Sequence, residues 1–104
     1  VMPKPNEDAT DFLKRRQPMK ASIDISLYPL NQDYLPAIDA FIKALKQYPD
    51  IDVVENDLTT QIFGDFDVLM ACLQTEIRSS FVEFGQGVFT LKVLKEDLRR
   101  TQHD

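Results

Sequence analysis

Between Ser22 and Tyr28 the chain alternates. Ile23, Ile25 and Leu27 fall on one side, and Ser22, Asp24, Ser26 and Tyr28 on the other. A period of two predicts a half-buried strand. Pro29 ends it, because proline has no N–H to give to a ladder. The period then lengthens: Leu35, Ile38, Phe41, Ile42, Leu45 and Tyr48 recur at helical spacing. Asp33 is the expected N-cap of this helix, Pro36 sits in its first turn and Pro49 stops it. Residues 51–55 read as a short strand centred on Val53 and Val54. Asn56-Asp57 signals a turn. Residues 58–63 read as a third strand, with Leu58, Thr60 and Ile62 on one face and Thr59, Gln61 and Phe63 on the other. Gly64 allows a tight exit and Asp65 caps a second helix, whose stripe is Phe66, Leu69, Met70, Leu73 and Ile77 and which frays near Ser79-Ser80. Gly85 and Gly87 bound a loop before a last strand over 88–94. That strand carries Phe89, Leu91 and Val93 on one face, and a charged tail follows it, with room for one helical turn.

The predicted order is β-α-β-β-α-β, an α+β, ferredoxin-like βαββαβ sandwich: a four-stranded antiparallel sheet with two helices on one face. The uncovered face would carry Ser22, Asp24, Ser26 and Tyr28 from the first strand, with Val88, Thr90 and Lys92 from the last. It is mixed rather than polar, and pairing with another sheet in an oligomer would give a small domain extra burial. Residues 1–19 hold three of the six prolines and the cluster Lys14-Arg15-Arg16. They read as an arm, flexible or with a short helix over 8–17, and the domain proper as 20–104.

Charge and composition narrow the function. One domain fits 104 residues. A net charge of −5 argues against a broad phosphate-binding face. No apolar run approaches the roughly 20 residues that span a bilayer. The first residues lack the apolar core of a signal peptide, so a cytoplasmic location is expected. Cys72, the single cysteine, excludes an intrachain disulfide and fits a reducing compartment.

Catalytic and metal motifs are missing. His103 is the only histidine, and no spacing of Cys or His suits a metal. Without a usable histidine, neither a Ser-His nor a Cys-His pair can be assembled. An enzyme is not expected, although a site built from carboxylates alone stays open. The RNA-recognition fold shares this strand order, but the surroundings of Phe63 lack its basic and aromatic run, so no nucleic-acid partner is expected. Gly85-Gln86-Gly87 precedes no helix and is no phosphate loop. What remains is small-molecule binding at strand ends, where Tyr28, Thr59, Thr60, Gln61 and the backbone at Gly64 offer donors and acceptors. The plain alternative is that the threonines are ordinary strand formers and Gln61 faces water.

Two segments carry a resemblance. Ile25-Ser26-Leu27-Tyr28-Pro29-Leu30, and Thr59-Thr60-Gln61-Ile62 followed by Gly64-Asp65, are similar to the first strand and to the third-strand-to-helix step of the YkoF-like family of thiamine-binding proteins. The resemblance spans residues 22–94. It implies a ferredoxin-like fold and non-catalytic binding of thiamine or its hydroxymethylpyrimidine moiety, as a cytoplasmic carrier or sensor with no catalytic cofactor. It implies a homodimer or homotetramer, because a single copy of the domain is present. It also implies Tyr28, Thr59, Thr60, Gln61 and Gly64 as ligand-binding residues, Phe63 or Phe89 as an apolar wall, and Asp24 or Asp65 as a carboxylate facing the cationic thiazolium. Phe63 before Gly64 departs from the pattern, and a ring there would narrow the pocket. The alternatives are an oligomerisation or protein-interaction module without a ligand, and a regulatory domain for another metabolite.

Overall fold

The computed structural model describes Asp8 and residues 17–31 and 34–99. The arm over 9–16, Asp33 and the tail from 100 onward, with His103, lie outside the described residues. The elements are β1 (Lys20–Pro29), α1 (Leu35–Leu45), β2 (Asp52–Glu55), β3 (Thr60–Asp65), α2 (Phe66–Phe84) and β4 (Gly87–Lys95). The sheet runs β2-β3-β1-β4 with every pairing antiparallel, which is the ferredoxin-like arrangement.

Register decides what is buried. Ile23 faces Ile62 on one side and Val93 on the other, and Ile25 faces Thr60 and Leu91. Directly opposed residues share a face, so these rows meet the helices. Ile23, Ile25 and Ile62 are buried there against Phe41 and Leu45 of α1 and Leu69, Cys72 and Leu73 of α2. Phe89 packs its ring between Phe41 (centroids 4.9 Å apart) and Phe81 (5.5 Å). Leu91 and Val93 share Phe89's face, as the alternation predicts. They stay 41% and 49% exposed, so the helices leave this part of the β4 edge open.

Several boundaries move for identifiable reasons. α1 closes at Leu45, not at Tyr48: Gln47 N–H donates to Ala44 O and Tyr48 N–H to Leu45 O, tightening the chain into a 3₁₀-type turn. Tyr48 leaves the helix and donates its hydroxyl to Glu76 Oε2 on α2 at 2.6 Å. That bond, assisted by burial, pushes its phenol pKa up to about 12. Pro36 does occupy the first turn of α1, and Tyr34 holds the cap position without a side-chain cap bond. β3 starts at Thr60 because Asn56 Oδ1 accepts from both Leu58 N–H and Thr59 N–H (3.0 Å each). That side-chain turn holds residues 56–59 out of the ladder and leaves Leu58 90% exposed.

Gly64 lies inside β3 rather than at a turn. A Cβ there would stand 3.3 Å from Asp50 O and 3.5 Å from side chains of Ile51 and Leu69, so its role is close packing. Asp65 caps α2 as expected, accepting from Asp67 N–H (3.1 Å) and Val68 N–H (3.3 Å). α2 runs through Ser79-Ser80 to Phe84. Ser80 is buried, and Gly85 at φ 82° supplies the left-handed residue that ends the helix.

Ile62 is fully buried at the centre of the core. Ile62→Ala is expected to lower unfolding free energy by about 2–5 kcal/mol, read from the denaturant midpoint. A loss below about 1 kcal/mol would mean that the site collapses around the deletion.

Candidate ligand site

The face of the sheet away from the helices is laid out in rows. One row is Val54, Gln61, Asp24 and Lys92; the next is Asp52, Phe63, Ser22 and Leu94. Ser26 lies opposite Thr90, and Tyr28 opposite Val88. Of these, Ser22, Asp24, Ser26, Tyr28, Val88, Thr90 and Lys92 are the residues that the alternation assigns to the uncovered face; Asp52, Val54, Gln61, Phe63 and Leu94 join them there.

The turn at Asn56 places Thr59 beside β1. Asn56 N–H donates to Thr59 O at 3.0 Å, so the turn is pinned from both ends. The Thr59 hydroxyl then reaches the Asp24 carboxylate, lies 3.0 Å from Ile25 O, and accepts from Ser26 Oγ at 3.4 Å. A hydroxyl has one proton to give. With that proton on Asp24, the Thr59 oxygen keeps acceptor capacity. Asp24, Ser26 and Thr59 therefore form one half-buried polar unit, held by β1 and the turn.

Against this unit lies a cleft of about 170 Å³ between the end of the sheet, α1 and the 56–59 turn. Leu27, Ile38, Phe41 and Ile42 supply apolar walls; Tyr28, Thr59 and Thr60 supply polar atoms. Three of the five expected site residues thus meet in one cleft. Gln61 does not join them. Its strand position turns it to the open face, beside a cavity of about 500 Å³. Gly64 borders a third cavity, near Asp50 and Asp65.

The aromatic and acidic expectations sort the same way. Neither Phe63, on the open face, nor Phe89, packed between Phe41 and Phe81, lines the cleft; Phe41 is its aromatic wall. Of the two expected carboxylates, Asp24 reaches the cleft through the Thr59 hydroxyl, and Asp57, outside that expectation, lines it directly. Asp65 is occupied as a cap, and its Oδ1 also accepts from Met19 N–H at 3.2 Å. The α1 residues at the cleft read in sequence only as a core stripe, and no local signal separates the two roles.

The open face carries a feature that the sequence does not announce. After β4, Glu96 takes φ 80° and turns the chain back onto the sheet. Ser22 Oγ donates to Glu96 O at 2.7 Å and accepts from Leu98 N–H at 3.0 Å. The Arg99 guanidinium lies 4.4 Å from the Phe63 ring centroid, with Nη1 3.0 Å from Asp52 and Nη2 2.5 Å from Asp97. No helical turn forms between Glu96 and Arg99. Arg99's side-chain and backbone N–H groups hold the Asp97 carboxyl down at about 2, below its ordinary 3.8.

No protein-family model matches the chain, and no curated protein matches it. Among solved structures of similar fold, a protein from Streptococcus pneumoniae has a TM-score of 0.70 at 27% identity, covering 77% of this chain and 90% of that one. A candidate thiamine biosynthesis/salvage protein from Thermotoga maritima has a TM-score of 0.66 at 19% identity, covering 72% and 82%. A hypothetical protein from Methanocaldococcus jannascii has a TM-score of 0.67 at 20% identity, covering 82% and 90%.

The Asp97 shift sets a pH window. Its folded value is depressed, so its contribution is complete above 3.8 and is lost as pH falls through about 2. In a carboxyl NMR titration Asp97 is expected to titrate near the lower value, and Arg99→Gln to return it towards 3.8. Titration of the unmodified protein at 3.8 would mean that Arg99 does not hold it.

Proposed function

We propose that this protein binds a single heteroaromatic ring of the aminopyrimidine type, as in thiamine or its hydroxymethylpyrimidine moiety, without chemistry on it. The observation that carries the reading is the Thr59 hydroxyl, anchored on Asp24 at the mouth of an apolar cleft. An aminopyrimidine edge presents a donor beside an acceptor; the Thr59 oxygen accepts from the first, and the Thr60 or Tyr28 hydroxyl of the same cleft is free to donate to the second. Phe41 and the aliphatic side chains offer the flat apolar contact that such a ring needs.

Size refines the ligand. The cleft lies below the roughly 300–1,000 Å³ of pockets for drug-sized molecules. It suits one ring, and the thiazolium of thiamine would stay outside. The Thermotoga maritima protein of similar fold, by its description, supports a thiamine-related role. A non-catalytic role fits the buried Cys72, whose thiol pKa is raised by desolvation and so is poorly suited to act as a nucleophile. Among the described residues, no helix is long and apolar enough to cross a membrane.

The assembly that we propose is a homodimer through β4, itself able to pair into a tetramer. β4 is a nine-residue edge strand with Val88, Leu91, Val93 and Leu94 all more than 40% exposed. Long apolar edges of this kind are templates for strand pairing. The turned-back 96–99 segment covers Phe63 and Ser22, which displaces the contact from the open face to this edge.

Two measurements test these readings. Hydroxymethylpyrimidine at about 100 times its dissociation constant is expected to stabilise the protein by roughly 2.7 kcal/mol, several degrees in Tm. Thiamine should do the same through its pyrimidine, and Thr59→Val should remove both shifts. A folded protein with no shift sinks the ligand reading and leaves an interaction module. Light scattering after chromatography should give a dimer or tetramer that Leu91→Lys converts to monomer; a monomeric native protein refutes the β4 contact.

A further inference from the structure

On a sheet face with no helix over it, Phe63 and Ser22 are only 6% and 5% exposed. The 96–99 segment lies over them, and its hold on the sheet is small. It rests on the two Ser22 hydrogen bonds, Glu96 N–H donating to Lys20 O at 2.8 Å, and Arg99 on Phe63 and Asp52. The bidentate partner Asp97 belongs to the segment itself and travels with it. The Arg99 side chain is 41% exposed, so solvent screens its ion pairs. Glu96, a non-glycine residue, is held in the left-handed region to make the turn. Such a turn relaxes once docking is lost.

A guanidinium is a planar cation. Its position over an aromatic ring, with a carboxylate in reach, shows which chemistry this surface accepts. Beside it the open-face cavity of about 500 Å³ leaves room for a larger ring, with Gln61 and Asp24 on its far wall. We propose that Phe63 and Asp52 form a seat for a planar organic cation and that Arg99 is its tethered occupant, so that 96–99 is a strap displaced by an external planar cation. The seat stands apart from the cleft at Thr59 and does not depend on the pyrimidine reading.

The test is an NMR titration of the full chain with N-methylpyridinium, against pyridine as a neutral ring of the same shape near neutral pH. Arg99→Ala is expected to bind N-methylpyridinium about tenfold more tightly than the native protein, with upfield ring-current shifts of the probe protons. Arg99→Gln, which keeps much of the side-chain length without the charge, should behave alike. Adding Asp52→Asn to Arg99→Ala should abolish the preference for the cation over pyridine. In the native protein, saturating probe should speed hydrogen exchange at the Leu98 amide, which the strap bonds to Ser22. Equal affinity of native and Arg99→Ala proteins, or equal binding of pyridine and N-methylpyridinium, overturns the proposal.

Discussion

Everything in this molecule hangs on β1 being hydrogen-bonded on both sides. It pairs with β3 over Lys20–Ile25 and with β4 over Ala21–Pro29, so the side chains of residues 21–25 sit mid-sheet. Its odd-numbered residues 21, 23 and 25 anchor the core, and its even-numbered residues 22, 24 and 26 supply the polar groups of the other face. A slip of one residue would exchange the two sets. The core and the polar unit at Thr59 are therefore fixed by one register, and neither can be rearranged without the other.

Side-chain caps position what the ladder does not. Asn56 satisfies two backbone N–H groups and thereby swings Thr59 onto Asp24. Asp65 closes β3 and opens α2 in one residue, and also ties down Met19 at the entrance to β1. Both residues act by meeting backbone donors that would otherwise lack partners. The cleft lies at the Asn56 end of the sheet and the Arg99 strap towards the Asp65 end, so the same strands serve two chemically different surfaces.

Those surfaces differ in how firmly they are built. The cleft is walled by α1 and by the end of the sheet, and its Thr59 hydroxyl is held by Asp24, Ile25 and Ser26. The strap is an exposed cation on an aromatic ring, held by contacts that water weakens. A screened cation on an open face favours exchange.

The element order, the face of each strand residue, the cap at Asp65 and the turn at Asn56 are legible in the amino-acid sequence. Each depends on spacing or on one side chain meeting nearby backbone, which are local matters. Long-range packing sets which end of the sheet Thr59 and Tyr28 share, that Gly64 packs against Asp50 and Ile51 away from them, and that Phe41 walls the cleft. Residues 59, 60 and 61 are neighbours in sequence, yet strand alternation turns Gln61 to the face opposite Thr60. Arg99 meets Phe63 and Asp52 only because β4 runs beside β1 and the chain turns back at Glu96. Those contacts join residues far apart along the chain, and no local pattern records them.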